Sequence, residues 1–499
     1  MSNAEARPLP SSWAEIAVEE LAAREVGSLT DGPFGSNLKT SHYTTTGPRV
    51  IRLQNIGDGR FVDEQAHISL THFGRLRRHE AKAGDIVAAM LGADLPRACL
   101  VPERVGPAIV KADCVRLRVD SALALPAFLA LGLNSKGVRK QAEKFVHGVG
   151  RPRLGLRFFR ALRLPVAPIK EQRRIVDTLD SYFTRLDDAE AMLERVNRNL
   201  ERYRASVLQA AIEGRLVPTE AELAQVEGRS YETASTLVRR LSPEAIEVDS
   251  GAGEVPLGWT KVRLGSIAQV RLGRQRSPSR SVGENMRPYM RAANVTWNGI
   301  STQDVKEMDF TPREFEVFAL RRGDILLSEA SGSSNEVGKP AIWNEQIPDC
   351  CFQNTLVRVR AAPCLVPFLH LHFLSNAVGG AFSRSSKGVG IHHLSAGTMD
   401  YWPTRIPPLA EQCRIVARVE DSLSVVRAVQ QAIKIDELRC ARLRQGLLAM
   451  AFQGRLIDQD PTDEPASAFL DRVRAERMKA TSVPEEPRRR GHPRKAVKK

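Results

Sequence analysis

The chain has 499 residues, 42% of them apolar, and a formal net charge of +15, enough for several domains with cores of their own. Its longest apolar run, Ala122–Leu133, is interrupted by Pro126 and too short for a bilayer. No charged-then-apolar leader opens it, and seven cysteines without a CxxC spacing read as reduced thiols of a cytoplasmic protein, whose positive balance calls for a polyanionic partner.

Residues 1–167 read as a first globe of ordinary domain size. It contains Leu9-Pro10-Ser11-Ser12-Trp13, then Asp31-Gly32-Pro33-Phe34-Gly35-Ser36-Asn37-Leu38-Lys39 and Val50-Ile51-Arg52-Leu53-Gln54-Asn55-Ile56, and later Gly84-Asp85-Ile86. Between Lys136 and Arg163 stand nine Lys or Arg and one acid, Glu143. Residues 168–230 open on Pro168-Ile169-Lys170-Glu171-Gln172-Arg173-Arg174-Ile175-Val176 and carry a heptad seam, Leu179, Leu186, Leu193, Leu200, Val207. A companion line three residues on reads Tyr182, Ala189, Val196, Tyr203, Ala210. This spacing predicts a long coiled-coil helix ending near Glu213-Gly214-Arg215-Leu216, with a linker over 231–254.

A second globe is placed at 255–406, and there the motifs return. Val255-Pro256-Leu257-Gly258-Trp259 answers the first opening, Arg291 with Asn294-Val295 answers Arg52 with Asn55-Ile56, and Gly323-Asp324-Ile325 answers Gly84-Asp85-Ile86. Between Lys261 and Arg291 stand eight Lys or Arg and one acid, Glu284. Residues 407–475 repeat the helical region. Pro408-Leu409-Ala410-Glu411-Gln412-Cys413-Arg414-Ile415-Val416 starts it, the seam runs Val419, Val426, Ile433, Cys440, Leu447, and Gln453-Gly454-Arg455-Leu456 closes it. The companion line there is Ser422, Val429, Asp436, Leu443, Met450. The distance between opening and closing markers is the same in both copies, which is what a rigid spacer requires. The tail, 476–499, carries seven Lys or Arg from Arg488 onward and reads as disordered.

No catalytic apparatus is legible. The stretch Gly332-Ser333-Ser334-Asn335-Glu336-Val337-Gly338-Lys339-Pro340 resembles a phosphate loop. It has one residue too many between its glycines, and Pro stands where Ser or Thr should bind magnesium. His392-His393 is the one adjacent histidine pair, poorly placed to chelate a single ion, so no metal site is expected.

The motifs quoted above, taken in order and twice over, resemble the DNA specificity subunits of type I restriction-modification systems, across roughly residues 9–475. The resemblance implies an α/β fold: two mixed α/β target recognition domains joined by two long helices in an antiparallel coiled coil, an internal pseudo-twofold repeat. It implies a non-catalytic subunit that reads a bipartite, asymmetric target in double-stranded DNA. Two modification subunits carrying S-adenosylmethionine and two restriction subunits using ATP and Mg would assemble on it, so no cofactor belongs to this chain. Two other readings stay open: a specificity subunit whose partner both methylates and cuts, and a coiled-coil scaffold that holds nucleic acid by charge alone.

Side chains that suit base edges and phosphates nominate Ser36, Asn37, Lys39, Arg52, Gln54 and Asn55 in the first globe, with Arg151 and Arg153 on the backbone. In the second they nominate Arg274, Gln275, Arg276, Arg291, Asn294, Ser333, Asn335 and Lys339, with His392 and His393 beside them. The repeated helix starts nominate Glu171, Gln172, Arg174, Glu411, Gln412 and Arg414 for partner subunits.

Overall fold

The computed structural model describes residues 8–148, 150–248, 255–277, 282–331, 336–385 and 392–481. Ser333, Asn335 and the basic tail from Arg488 lie outside the described residues. The chain divides into two compact units, residues 1–192 with 436–499, and residues 193–435. The division crosses both long helices, Ile169–Ile212 and Leu409–Phe452, so each unit holds part of each.

In the first unit, strand Ala14–Ala17 pairs antiparallel with Arg163–Val166, closing the start of the globe onto its end. Between them lies a four-stranded sheet in the order Leu29–Asp31, Cys114–Leu117, Ile86–Ala89, Arg97–Leu100. A second sheet sets Tyr43–Ile51 parallel to Ala108–Val110. Strand Ile86–Ala89 is buried throughout because it serves two cores. Ile86 and Ala88 join the large cluster under helix Pro126–Leu133, while Val87 and Ala89 join a second cluster with Ile51 and Val110. A strand covered on both faces reads as a continuous apolar run rather than an alternating one.

The second unit is built in the same order. Thr260–Arg263 pairs with Pro403–Ile406. Its main sheet runs Ala268–Leu272, Leu356–Ala361, Ile325–Ser328, Pro340–Ile342. Met286–Met290 lies parallel to Cys351–Phe352. Here too the central strand divides its side chains, Ile325 and Leu327 to one core, Leu326 to the other.

The repeated Gly-Asp-Ile motif is a structural device. Asp85 accepts a forked pair of bonds from Arg118 Nε and Nη2, both 2.9 Å, and Asp324 accepts the same from Arg360 at 2.6 and 2.7 Å. Each carboxylate also accepts the backbone N–H three residues before it. Two residues earlier on each strand, Arg116 and Arg358 are buried and pair with no acid among the described residues. Arg116 donates to Gly27 and Glu80 carbonyls, Arg358 to Val317 and Ala319 carbonyls and Gln269. Burial pushes the Arg358 guanidinium down to about 10, so it still carries its charge at neutral pH.

Within each unit the long helices meet with numbering that rises on one and falls on the other. Ile175 and Leu179 share a core with Leu448 and Phe452, and Val207 and Ala211 share one with Ile415 and Val419. The predicted seam is correct for Leu179, Val207, Val419, Val426, Ile433 and Cys440, all buried. The companion lines are corrected: Tyr182, Val196, Tyr203, Val429, Leu443 and Met450 are exposed. The line four residues on is more covered, with Phe183, Glu190 and Arg204 half-buried, Ala211 buried and Asn197 exposed. Polar groups hold it: Arg444 pairs with Asp187, and Gln430 Nε2 donates to Asn197 Oδ1 (3.3 Å) and Glu201 Oε1 (2.6 Å). An apolar count passes over a neighbouring column whose half-buried members, Glu190 and Arg204, are charged.

Candidate nucleic-acid interface

Both units place an exposed loop on the same backbone cradle. The loop after Leu29–Asp31 turns at Gly32, whose N–H donates to Cys114 O (3.1 Å). A Cβ there would lie 2.1 Å from the Lys111 carbonyl carbon, so only glycine lets the loop lie on that carbonyl. In the second unit Gly273 N–H donates to Leu356 O (3.0 Å), and a Cβ would lie 2.2 Å from the Gln353 carbonyl oxygen. The Asp-Gly-Pro-Phe-Gly-Ser run therefore has a counterpart at Leu272-Gly273-Arg274-Gln275, matched in backbone and not in side chains.

Around the first cradle Phe34 is exposed, with the Arg153 guanidinium carbon 5.2 Å from its ring centroid. Arg153 also pairs with Asp113 at 2.8 Å. Ser36, Asn37, Lys39 and Arg151 are exposed. Asn37 Nδ2 donates to Phe34 O (3.2 Å), holding the loop's curve. Arg52 lies 3.7 Å from Glu64, and Gln54, with its amide turned to suit, accepts from Arg52 Nη1 at 2.9 Å. Of the basic cluster, Arg139, Arg160 and Arg163 face Asp58, Glu19 and Glu15. Lys136, Lys140, Lys144, Arg151 and Arg157 are exposed, with no acid partner among the described residues.

Around the second cradle Gln275 and Arg276 are exposed. Arg291 and Lys306 both face Asp304, the latter at 3.3 Å. Strand pairing of Ala330 with His393 matches the bridge of Leu91 to Arg153, so His393 occupies the position of Arg153. It faces Glu329 at 3.3 Å. His392 is in the same short strand.

Several nominated residues are buried and already bonded. Asn55 and Asn294 each accept the backbone N–H of the arginine three before them, at 2.8 and 3.1 Å, and donate to two carbonyls of the next loop. Arg274 is buried, pairs with Glu314 at 2.9 Å and lies against Phe310. Burial opposes ionisation of Glu314, yet the Thr311 N–H and Arg274 hold its carboxyl down to about 2. Lys339 is buried against Glu336 and Trp297. Removing buried amides leaves their partners unsatisfied, so Asn294→Ala should cost about 1–3 kcal/mol. Thermal melting should record that loss while the preferred DNA sequence stays unchanged.

The helix starts are corrected in the same way. Glu171 accepts from Trp13 Nε1 (3.0 Å) and Gln459 Nε2 (2.7 Å), and Glu411 from Trp259 Nε1 (2.8 Å) and Glu220 N (2.8 Å). Gln172 bonds Leu125 N and Ala167 O, and Gln412 bonds Pro407 O. These four side chains are buried and tie each helix to its own globe. Arg174 and Arg414 are partly exposed and pair with Asp463 (2.8 Å) and Glu220 (2.6 Å).

Sequence reasoning passed over Lys111, Gln353 and Lys306. The separation between copies drifts between Asn55/Asn294 and Lys111/Gln353, which hides the match in a fixed-offset comparison. Among the described residues no group of three metal-ligating side chains comes together, and no helix is long and apolar enough to cross a membrane.

Each unit thus presents an exposed polar loop at the edge of an antiparallel sheet. No family model matches the chain. It is 24% identical over 378 residues to the type I restriction enzyme EcoKI specificity subunit of Escherichia coli strain K12, spanning 73% of this chain and 75% of that protein. To the StySPI specificity subunit of Salmonella potsdam it is 22% identical over 377 residues, 73% and 74% of the two chains. A solved chain from work on complex assembly and conformational transition of the type I R-M system shares its fold. The TM-score is 0.62 at 20% identity, covering 90% of this chain and 100% of the other. The chain is a relative of the specificity subunits of type I restriction enzymes.

Proposed function

We propose that this chain is the DNA specificity subunit of a type I restriction-modification complex, in which each globe reads one half of a split, asymmetric target. It performs no bond chemistry. Methylation, with S-adenosylmethionine, and cleavage, with ATP and Mg, belong to two modification and two restriction subunits that assemble on it in the cytoplasm. The observation that carries this reading is the pair of like cradles bearing unlike exposed side chains, Phe34, Ser36 and Asn37 on one, Gln275 and Arg276 on the other. One construction with two faces suits two different sequences. The nominated residues that remain exposed, among them Lys39, Arg151, Arg153 and His393, are the proposed DNA contacts. For partner docking, the exposed apolar side chains Tyr182, Met192, Val196 and Tyr203 of the first long helix are better placed than the buried helix starts.

In this proposal the long helices act as a coiled-coil ruler between the half-sites. Deleting residues 193–199 and 429–435 together removes one heptad from each helix and shortens a rod by ~10 Å, near three base pairs at ~3.4 Å each. The gap in the methylated target should shrink accordingly. An unchanged gap in a folded, active variant refutes the ruler.

A further inference from the structure

Resting on that reading, we infer that Lys111 and Gln353 are a matched pair of base-reading side chains, Gln353 taking an adenine edge and Lys111 a guanine edge, one in each half-site. Their equivalence is set by backbone hydrogen bonds. Lys111 N donates to Ile51 O and Gln353 N to Met290 O, at 2.8 and 2.9 Å; their carbonyls accept from Cys114 N and Leu356 N, at 3.1 and 2.9 Å. Two residues on, Asp113 O and Thr355 O accept from Met90 N and Glu329 N, at 2.8 and 2.9 Å. Gly32 and Gly273 press on the two carbonyls, so the backbone at this position is held from both sides. Only the side chain differs.

Both side chains are half-buried, and their polar ends have no hydrogen-bond or ion-pair partner among the described residues. Lys111 Nζ lies 5.7 Å from the Tyr43 ring centroid. Gln353 faces a cavity of about 280 Å³ shared with Arg276, Tyr289, Arg291 and Lys306. Arg276 is exposed there, and Asp304 neutralises part of the charge on Arg291 and Lys306. The cations at this rim suit phosphates, which position DNA without reading it. A neutral amide among them adds little to phosphate attraction, yet it presents one donor and one acceptor side by side. That pattern complements adenine N7 and N6–H₂, whereas an ammonium complements the two acceptors of guanine, O6 and N7. A rigid mount with an interchangeable reader is what lets one fold recognise two sequences.

The test uses the full chain, affinity-tagged and recovered from its host with whatever it assembles with, to select from a random double-stranded DNA pool. The wild type should select a split sequence. Gln353→Lys should move one position of one half from A to G, by about 5- to 150-fold, and leave the other half alone. Lys111→Gln should do the reverse in the other half. Gln353→Ala should lose the preference at the same position without gaining another. Melting temperatures should stay close to the wild-type value, since neither polar end holds a hydrogen-bond or ion-pair partner among the described residues and Lys111 has only its cation contact with the Tyr43 ring to lose. An unchanged motif, or an equal loss on all sequences, overturns the inference and leaves the specificity-subunit reading standing. A wild-type chain that selects no split sequence removes both.

Discussion

Glu411→Lys should unfold most of the second unit at moderate temperature. The wild-type carboxylate is fully buried and accepts Trp259 Nε1 and Glu220 N, both at 2.8 Å. Lysine in its place brings a buried cation with no acceptor and strands both donors. Breaking a buried charged arrangement this way costs about 3–5 kcal/mol, a large share of the roughly 5–15 kcal/mol that holds a domain together. Calorimetry should show the loss, and Glu420→Lys, an exposed position one helical stretch along, should not. A fully folded Glu411→Lys chain would mean that the anchor is dispensable. Burial also pushes the Glu411 carboxyl up. A raised acid stabilises the fold fully below the ordinary glutamate range, and the contribution falls as pH rises through the raised value. The melting temperature of wild type relative to that of Glu411→Gln should therefore shift in favour of wild type on going from pH 7 to pH 4. Glu171, raised for the same reason, should behave alike in the first unit.

Gly273→Ala and Gly32→Ala should each damage one cradle and spare the other. The added methyl would stand 2.2 Å from a carbonyl oxygen in both cases, and the obstacle is backbone, which cannot rotate away. Overpacking of this kind costs about 1–3 kcal/mol, a drop of roughly 2–12 °C for units of this size. The DNA consequence should be local, with base preference blurred in one half of the target and intact in the other. Gly74→Ala, where nothing lies within 4 Å of the new methyl, should leave both melting and selection alone. Blurring of both halves by a single cradle variant would count against independent readers.

Much was legible beforehand. The matched openings at Trp13 and Trp259, the helix starts at Pro168 and Pro408, and the Gly-Asp-Ile turns all fall at equivalent places in the two units, because each is a short local motif with its own backbone requirement. The candidate site was legible only in part. Exposed loop residues such as Ser36, Asn37 and Arg276 stayed eligible, but Asn55, Asn294, Arg274 and Lys339 did not. Their side-chain chemistry suits DNA, and it suits a carbonyl or carboxylate of the same protein equally well.

The amino-acid sequence by itself determined that a set of short motifs occurs twice in the same order and that a long helix follows each set. Those properties live in spacing and residue type along the chain. Tertiary structure decided which helix face is buried, which polar side chains are already bonded, and that Gly273 and Gln353 stand where Gly32 and Lys111 do. These depend on groups brought together from distant positions, such as Arg444 onto Asp187 and Trp259 onto Glu411, and a buried polar group takes its role from whichever partner the fold sets within hydrogen-bond reach.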